Sequence, residues 1–142
     1  MQKRVTVVGI HIRRGDILKT HQRHFGHVSP PETYYRAAKS FMNNRHVNIL
    51  YIVLSNDIAW AKAAIHGDNV AYVEKSKAEV DLAIMTLMHH LIISVGTFSW
   101  WGAYLSDAKD VVYYSGTPFP GSLYDVTFRT EDFWLPEWTG LQ

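Results

Sequence analysis

The chain has no cysteine. That absence excludes a disulfide framework, a thiolate zinc centre and a cysteine nucleophile together, and leaves the compartment open. A charge excess is missing as well, since 14 Lys and Arg face 13 Asp and Glu for a formal net charge of +1. So small a net charge does not support the counterion release that drives non-specific nucleic-acid binding, so nucleic acid is not an expected partner and any bound anion is held locally. No Walker lysine pattern and no well-formed Gly-x-Gly-x-x-Gly occurs, which sets aside ATPases and dinucleotide enzymes. Internal repeats and low-complexity segments are absent too. Residues 82–106 carry no Asp, Glu, Lys or Arg, a run long enough to raise a membrane span. His89, His90, Ser94, Gly96, Thr97 and Ser99 interrupt that run and its halves differ in period, so helix, buried strand and helix are expected instead. Residues 5–10 are too short for a signal-peptide core and follow Met1-Gln2-Lys3-Arg4 directly, so they read as a first strand. A start at a strand without a leader suggests part of a longer protein.

What is present suffices for one core. At 142 residues, 47% hydrophobic and 13% aromatic, the chain fits a single domain, 1–142, that buries enough apolar surface to order itself. Residues 5–10 and 49–54 are apolar, β-branched runs without alternation, the pattern of strands covered on both faces; 91–95 and 111–114 are similar. Helical candidates fall between and after them at 32–42, 58–65, 78–88 and 98–105. The alternation predicts a doubly wound parallel α/β sheet, with ligands at the carboxyl ends of the strands. The aromatic tail through Phe133, Trp134 and Trp138 is expected to be a packed cap.

The first strand empties into His11-Ile12-Arg13-Arg14-Gly15-Asp16. Two arginines there are costly unless an anion or carboxylate meets them, and a guanidinium fork suits the oxygens of a diphosphate. Neighbours on a strand face opposite ways, so one arginine is expected to meet ligand while the other pairs internally, with Asp16 a candidate partner. Ion pairs from both to acidic side chains are the structural alternative. Arg14-Gly15-Asp16 also spells an adhesion tripeptide, which would need an exposed loop tip. After the second strand, Ser55-Asn56-Asp57 can cap a helix or reach a ligand, the cap being the stronger reading. Asp81 opens an apolar helix, as a first-turn carboxylate or as an acceptor able to read a guanine edge. Gly96-Thr97-Phe98-Ser99 at a strand-to-helix turn offers N–H and hydroxyl donors to an anion, although Thr97 or Ser99 would also serve as an ordinary N-cap. His21, His24 and His27 lie in a polar loop, where Gly26 and the following prolines argue against one helix presenting them to a metal. A neutral histidine there can act as a general base. His89-His90 reads as a helix end.

These elements, together with Trp60, Trp100-Trp101-Gly102-Ala103-Tyr104-Leu105 and Leu135-Pro136-Glu137-Trp138-Thr139-Gly140, resemble the alpha-1,2-fucosyltransferases, the animal galactoside type in particular. The resemblance implies a Rossmann-like sheet, the C-terminal domain of a GT-B type glycosyltransferase, binding GDP-fucose as co-substrate without cofactor or metal. By the resemblance, Arg13 holds the β-phosphate, His11 and Asp81 lie near the guanine, and Thr97 and Ser99 fall on the phosphates. Arg14, Asp16, Ser55, Asn56, Gly96 and Phe98 complete the expected donor site. The implied reaction is inverting transfer of fucose to the 2-hydroxyl of a galactose-terminated glycan. A related family uses a glutamate after the arginine motif as base; the loop here offers Lys19, His21 and His24, of which His21 is assigned beside Arg13 as catalytic. By the resemblance, the family's N-terminal half-domain, stem and membrane anchor are expected to lie outside this chain, so the expected Golgi-lumenal location would depend on such an anchor. A non-catalytic GDP-sugar or glycan-binding module is the alternative.

Overall fold

The computed structural model describes residues 4–142; Met1-Gln2-Lys3, which the sequence reading runs into the first strand, lie outside them. The elements are β1 (Thr6–Ile12), a 3-10 turn (Asp16–Leu18), α1 (Thr20–Phe25), α2 (Glu32–Arg45), β2 (Ile49–Ser55), α3 (Ile58–Ala64), β3 (Val70–Tyr72), α4 (Ala78–Thr86), β4 (His90–Ile92), α5 (Thr97–Tyr104), β5 (Val111–Tyr114), α6 (Leu123–Thr127), α7 (Thr130–Phe133) and β6 (Thr139–Leu141). The strands form one sheet in the order β3-β2-β1-β4-β5-β6, every pairing parallel. This is the doubly wound order, whose switch point falls between β1 and β4.

Apolar runs without alternation are explained by two cores, one on each face. Val8, Ile10 and Ile12 of β1, Tyr51 and Val53 of β2, Ile92 and Val112 pack against Tyr34, Tyr35, Ala38 and Met42 of α2 and Ala61 of α3. Their neighbours Leu54, Leu91, Ile93 and Val111 turn to the other face, against Met85, Ala103 and Trp134. Gly9 lies opposite that second core, where an added Cβ would come within 2.7 Å of Met88 Cγ and 2.8 Å of Leu91 Cδ2. Charge-free residues 82–106 divide among α4, β4 and α5, and no helix among the described residues is long and apolar enough to cross a membrane.

Four local expectations are corrected. The histidine loop contains a short helix, α1, which ends at Gly26, where φ is +125° and the N–H returns to Gln22 and Arg23. His89-His90 is not a helix end. α4 stops at Thr86, His90 opens β4, and His89 Nδ1 accepts the Val7 N–H at 2.9 Å, because this backbone is taken up by pairing with β1. The tail is more than a cap, since Thr139–Leu141 adds an edge strand. Val70–Tyr72 is a further edge strand on β2, where no strand is expected from the sequence.

Candidate functional site

Three polar side chains pin the exit of β1. Ser94 accepts a hydrogen bond from the Arg13 N–H at 3.1 Å and another from the Tyr35 hydroxyl at 3.3 Å. Ser55 donates to the Ile12 carbonyl at 2.8 Å, and Asn56 Oδ1 accepts from the Arg14 N–H at 2.9 Å. The backbone carrying both arginines is thus fixed by β2 and by the segment after β4, its neighbours in the sheet. Ser55 Oγ also accepts the Asp57 N–H, and Asp57 caps α3 through the Trp60 N–H at 3.2 Å, so the capping expectation holds for Asp57.

The two guanidiniums diverge just past the end of β1. Arg13 forks onto Asp16, with Nε to Oδ1 at 3.2 Å and Nη2 to Oδ2 at 2.5 Å. That hydrogen bond, with the charge of Arg13, holds the Asp16 carboxyl below its usual range and keeps Arg13 cationic. Arg14 lies over the Trp60 ring, 4.1 Å from its centroid, with Nε 3.5 Å from Asp57 Oδ2. Each arginine therefore has an acidic neighbour, where the leading expectation paired only one. Asn56 Nδ2 adds a donor to Asp16 at 3.4 Å. In Arg14-Gly15-Asp16 both charged side chains are engaged within the fold, which does not favour the adhesion reading.

Arg13 also reaches across the switch point. Gly96, the N-cap of α5, has φ +88°, and a Cβ built there would overlap Arg13 Nη1. Only glycine provides both that backbone and that close approach. No side chain caps α5, so neither Thr97 nor Ser99 serves as its N-cap. Its first-turn N–H groups and the Arg13 guanidinium converge on the gap between β1 and β4, where helix dipole and fixed charge favour an anion.

Beneath this gap, His11 and Ser99 are buried and share a hydrogen bond between Nδ1 and Oγ, and the Phe98 ring lies 5.1 Å from the imidazole. Burial, then the charge of Arg13, lowers the His11 pKa from 6.5 to about 4, so the ring is neutral near pH 7. Thr97 is exposed. Asp81 lies in the first turn of α4 bonded to Ser76, and no contact ties it to Arg13 or His11 among the described residues. His21 is exposed on α1, its Nε2 3.2 Å from Gln22 Nε2. The structure thus brings together His11, Arg13, Asp16, Ser55, Asn56, Gly96, Phe98 and Ser99, with Arg14 on the opposite side of the same strand exit.

Sequence reasoning left Ser94 unassigned, although a serine closing an apolar run at a strand end is the signal that would have found it. The histidines at 21, 24 and 27 form no metal-type cluster among the described residues; His46, His90 and Asp110 do, at the opposite ends of the strands. There Asp110 Oδ2 bonds His46 Nε2 at 2.6 Å and Arg45 pairs with Oδ1 at 3.3 Å. His90 Nδ1 is occupied by the Asp110 N–H at 3.1 Å, so the group is a structural network that a metal would have to break.

The chain is similar to galactoside 2-alpha-L-fucosyltransferase SEC1 of Bos taurus, 31% identical over 141 residues, covering 96% of this chain and 38% of that protein. Galactoside alpha-(1,2)-fucosyltransferase 1 of Mus musculus is 34% identical over 141 residues, covering 96% and 37%. Galactoside alpha-(1,2)-fucosyltransferase 2 of Gorilla gorilla gorilla is 34% identical over 142 residues, covering 96% and 41%. The chain therefore spans about two fifths of the length of these relatives. No solved structure matches it. The doubly wound sheet, the anion-directed groups at its switch point and a match over residues 1–142 to the family described as Glycosyl transferase family 11 agree, and the chain belongs to that family.

Proposed function

We propose that this domain binds GDP-fucose and, in the protein it forms, transfers L-fucose with inversion to the 2-hydroxyl of a galactoside. The reading is carried by one observation: Arg13 lies against Gly96, so a guanidinium and the uncapped start of α5 address one point at the sheet's switch point. A diphosphate placed there gains bidentate hydrogen bonds and a dipole, both strongest for the departing group. In the reaction the acceptor oxygen forms a bond to fucose C1 as the bond from C1 to the β-phosphate oxygen breaks. The electron pair leaves with GDP and the hydroxyl proton passes to a base, for which His21 is the candidate. Arg13 and α5 supply the stabilisation that a metal ion gives in other transferases, so transfer is expected to persist in EDTA. Neutral His11 and Asp81 are assigned to the guanine side, and Thr97 with Ser99 to the phosphates. A Golgi-lumenal location belongs to the same reading.

Titration with GDP and GDP-fucose, then a transfer assay on lactose, tests it. Saturable GDP binding is expected, with Arg13→Ala weakening it by about 1.5–3 kcal/mol, the worth of a hydrogen bond to a charged group. Unchanged affinity in that variant overturns the donor site. The pairing of both arginines within the chain keeps a second reading, a GDP-sugar-binding module without turnover, and binding without fucosyllactose formation would select it.

A further inference from the structure

A cavity of about 780 Å³ opens beside Arg14, lined by Ile17, Leu18, Arg23, His24, His27, Val28, Ser29 and Phe119 among others, and neither Asp nor Glu is in its lining. Among the described residues, the buried side-chain polar atoms without a hydrogen bond are Arg14 Nε, His27 Nδ1, Ser29 Oγ and Thr117 Oγ1. The first three belong to residues lining this cavity. Those three atoms are themselves closed to water, so the polar groups that a ligand in the space can meet are other atoms of the lining, the two guanidiniums among them. Arg14 is only partly compensated, its Nε being 3.5 Å from Asp57 Oδ2, and Arg23 has no ion-pair partner among the described residues. Two guanidiniums in a lining that holds no carboxylate favour an anion, because a site of net positive charge penalises a neutral ligand's donors and rewards a negative group. A lone phosphate is too small for the space. Ile17, Leu18, Val28 and Phe119 add apolar wall suited to the C–H face of a sugar ring.

We propose that this cavity is the acceptor subsite and that it selects galactosides bearing an anionic group, a carboxylate or a sulfate ester, held between Arg14 and Arg23. The assignment rests on the transferase reading for its galactoside, while the anion preference rests on the cavity alone. The 142-residue chain, saturated with GDP, is titrated with lactose, sulfated lactose and sialyl-lactose. At least one anionic lactose is expected to bind ten times or more tighter than lactose, and comparison of the two identifies the group. Arg23→Ala, at an exposed position, is expected to abolish or reduce that preference while GDP affinity stays at the wild-type value. Equal affinities for all three sugars, displacement of the anionic sugar by GDP, or a preference that survives Arg23→Ala each overturns the proposal. If GDP itself fails to bind, the donor reading fails, and the same sugar titration without nucleotide still decides the cavity.

Discussion

His11 is a histidine that the fold holds unprotonated. Its native pKa of about 4 lies below the ordinary 6.5 because burial, and then the nearby Arg13, disfavour imidazolium. The unfolded chain takes up a proton between these values that the native chain refuses, so stability is full above about pH 6.5 and falls as pH drops towards 4. The loss attributable to this group approaches about 3 kcal/mol. Asp16, held below its normal range by Arg13, loses its contribution at still lower pH, in the same direction. Denaturant unfolding at pH 7, 5.5 and 4.5 is expected to show the decline, and His11→Gln to flatten it; an equal slope in the variant assigns the effect elsewhere. Gly96 carries a second residue-scale prediction. Alanine there meets both a positive φ and Arg13 Nη1, so Gly96→Ala is expected to displace the guanidinium and weaken GDP binding as much as Arg13→Ala, measured by calorimetry. His21→Ala tests the assigned base: transfer is expected to fall while GDP binding holds, and unchanged transfer removes His21 from the reaction.

At the scale of elements, the four central strands and four long helices are legible because each is a long apolar or periodic run, and strand-exit chemistry follows once the sheet is parallel. Short edge strands were not legible. Val70–Tyr72 and Thr139–Leu141 have three residues each, half-exposed, and exist because β2 and β5 offer free edges. Of the arginines' partners, Asp16, three residues from Arg13, was legible as a candidate, whereas Asp57 reaches Arg14 only through the parallel register that sets Ile12 against Ser55. The cavity was illegible for a further reason, as it joins the α1 loop to Phe119, and no local pattern encodes that meeting. At the far ends of the strands, Asp110 ties the end of α2 to β4 and β5 through His46, Arg45 and His90. Asp110→Ala leaves His46 and Arg45 without their acceptor, while the backbone bond from residue 110 to His90 survives, and is expected to cost about 1–3 kcal/mol of stability. Because the network stands at the opposite end of the sheet from Arg13, GDP affinity of the folded variant is expected to stay unchanged; a matching loss of binding would show that the two ends are coupled.

For the molecule as a whole, the site depends on the tail being built into the fold. α5 supplies half of the anion site, and it is held from behind: Trp100 Nε1 donates to the Phe133 carbonyl at 2.6 Å, and the rings of Trp100 and Trp138 lie 5.9 Å apart. Trp134 stacks on Tyr113 at 4.0 Å and completes the second core, while β6 closes the sheet edge on β5. Removing a buried tryptophan costs about 3–5 kcal/mol, against a total of about 5–15 kcal/mol for a domain of ordinary stability. Trp134→Ala is therefore expected to shift the urea midpoint sharply downward and to leave a measurable unfolded population near 37 °C. Because Trp134 touches neither Arg13 nor Gly96, GDP affinity corrected for the folded fraction is expected to match the wild type. A midpoint that does not move would make the tail an appendage to a core that stands without it; a corrected affinity that falls would mean that the tail sets the position of α5 as well as its stability.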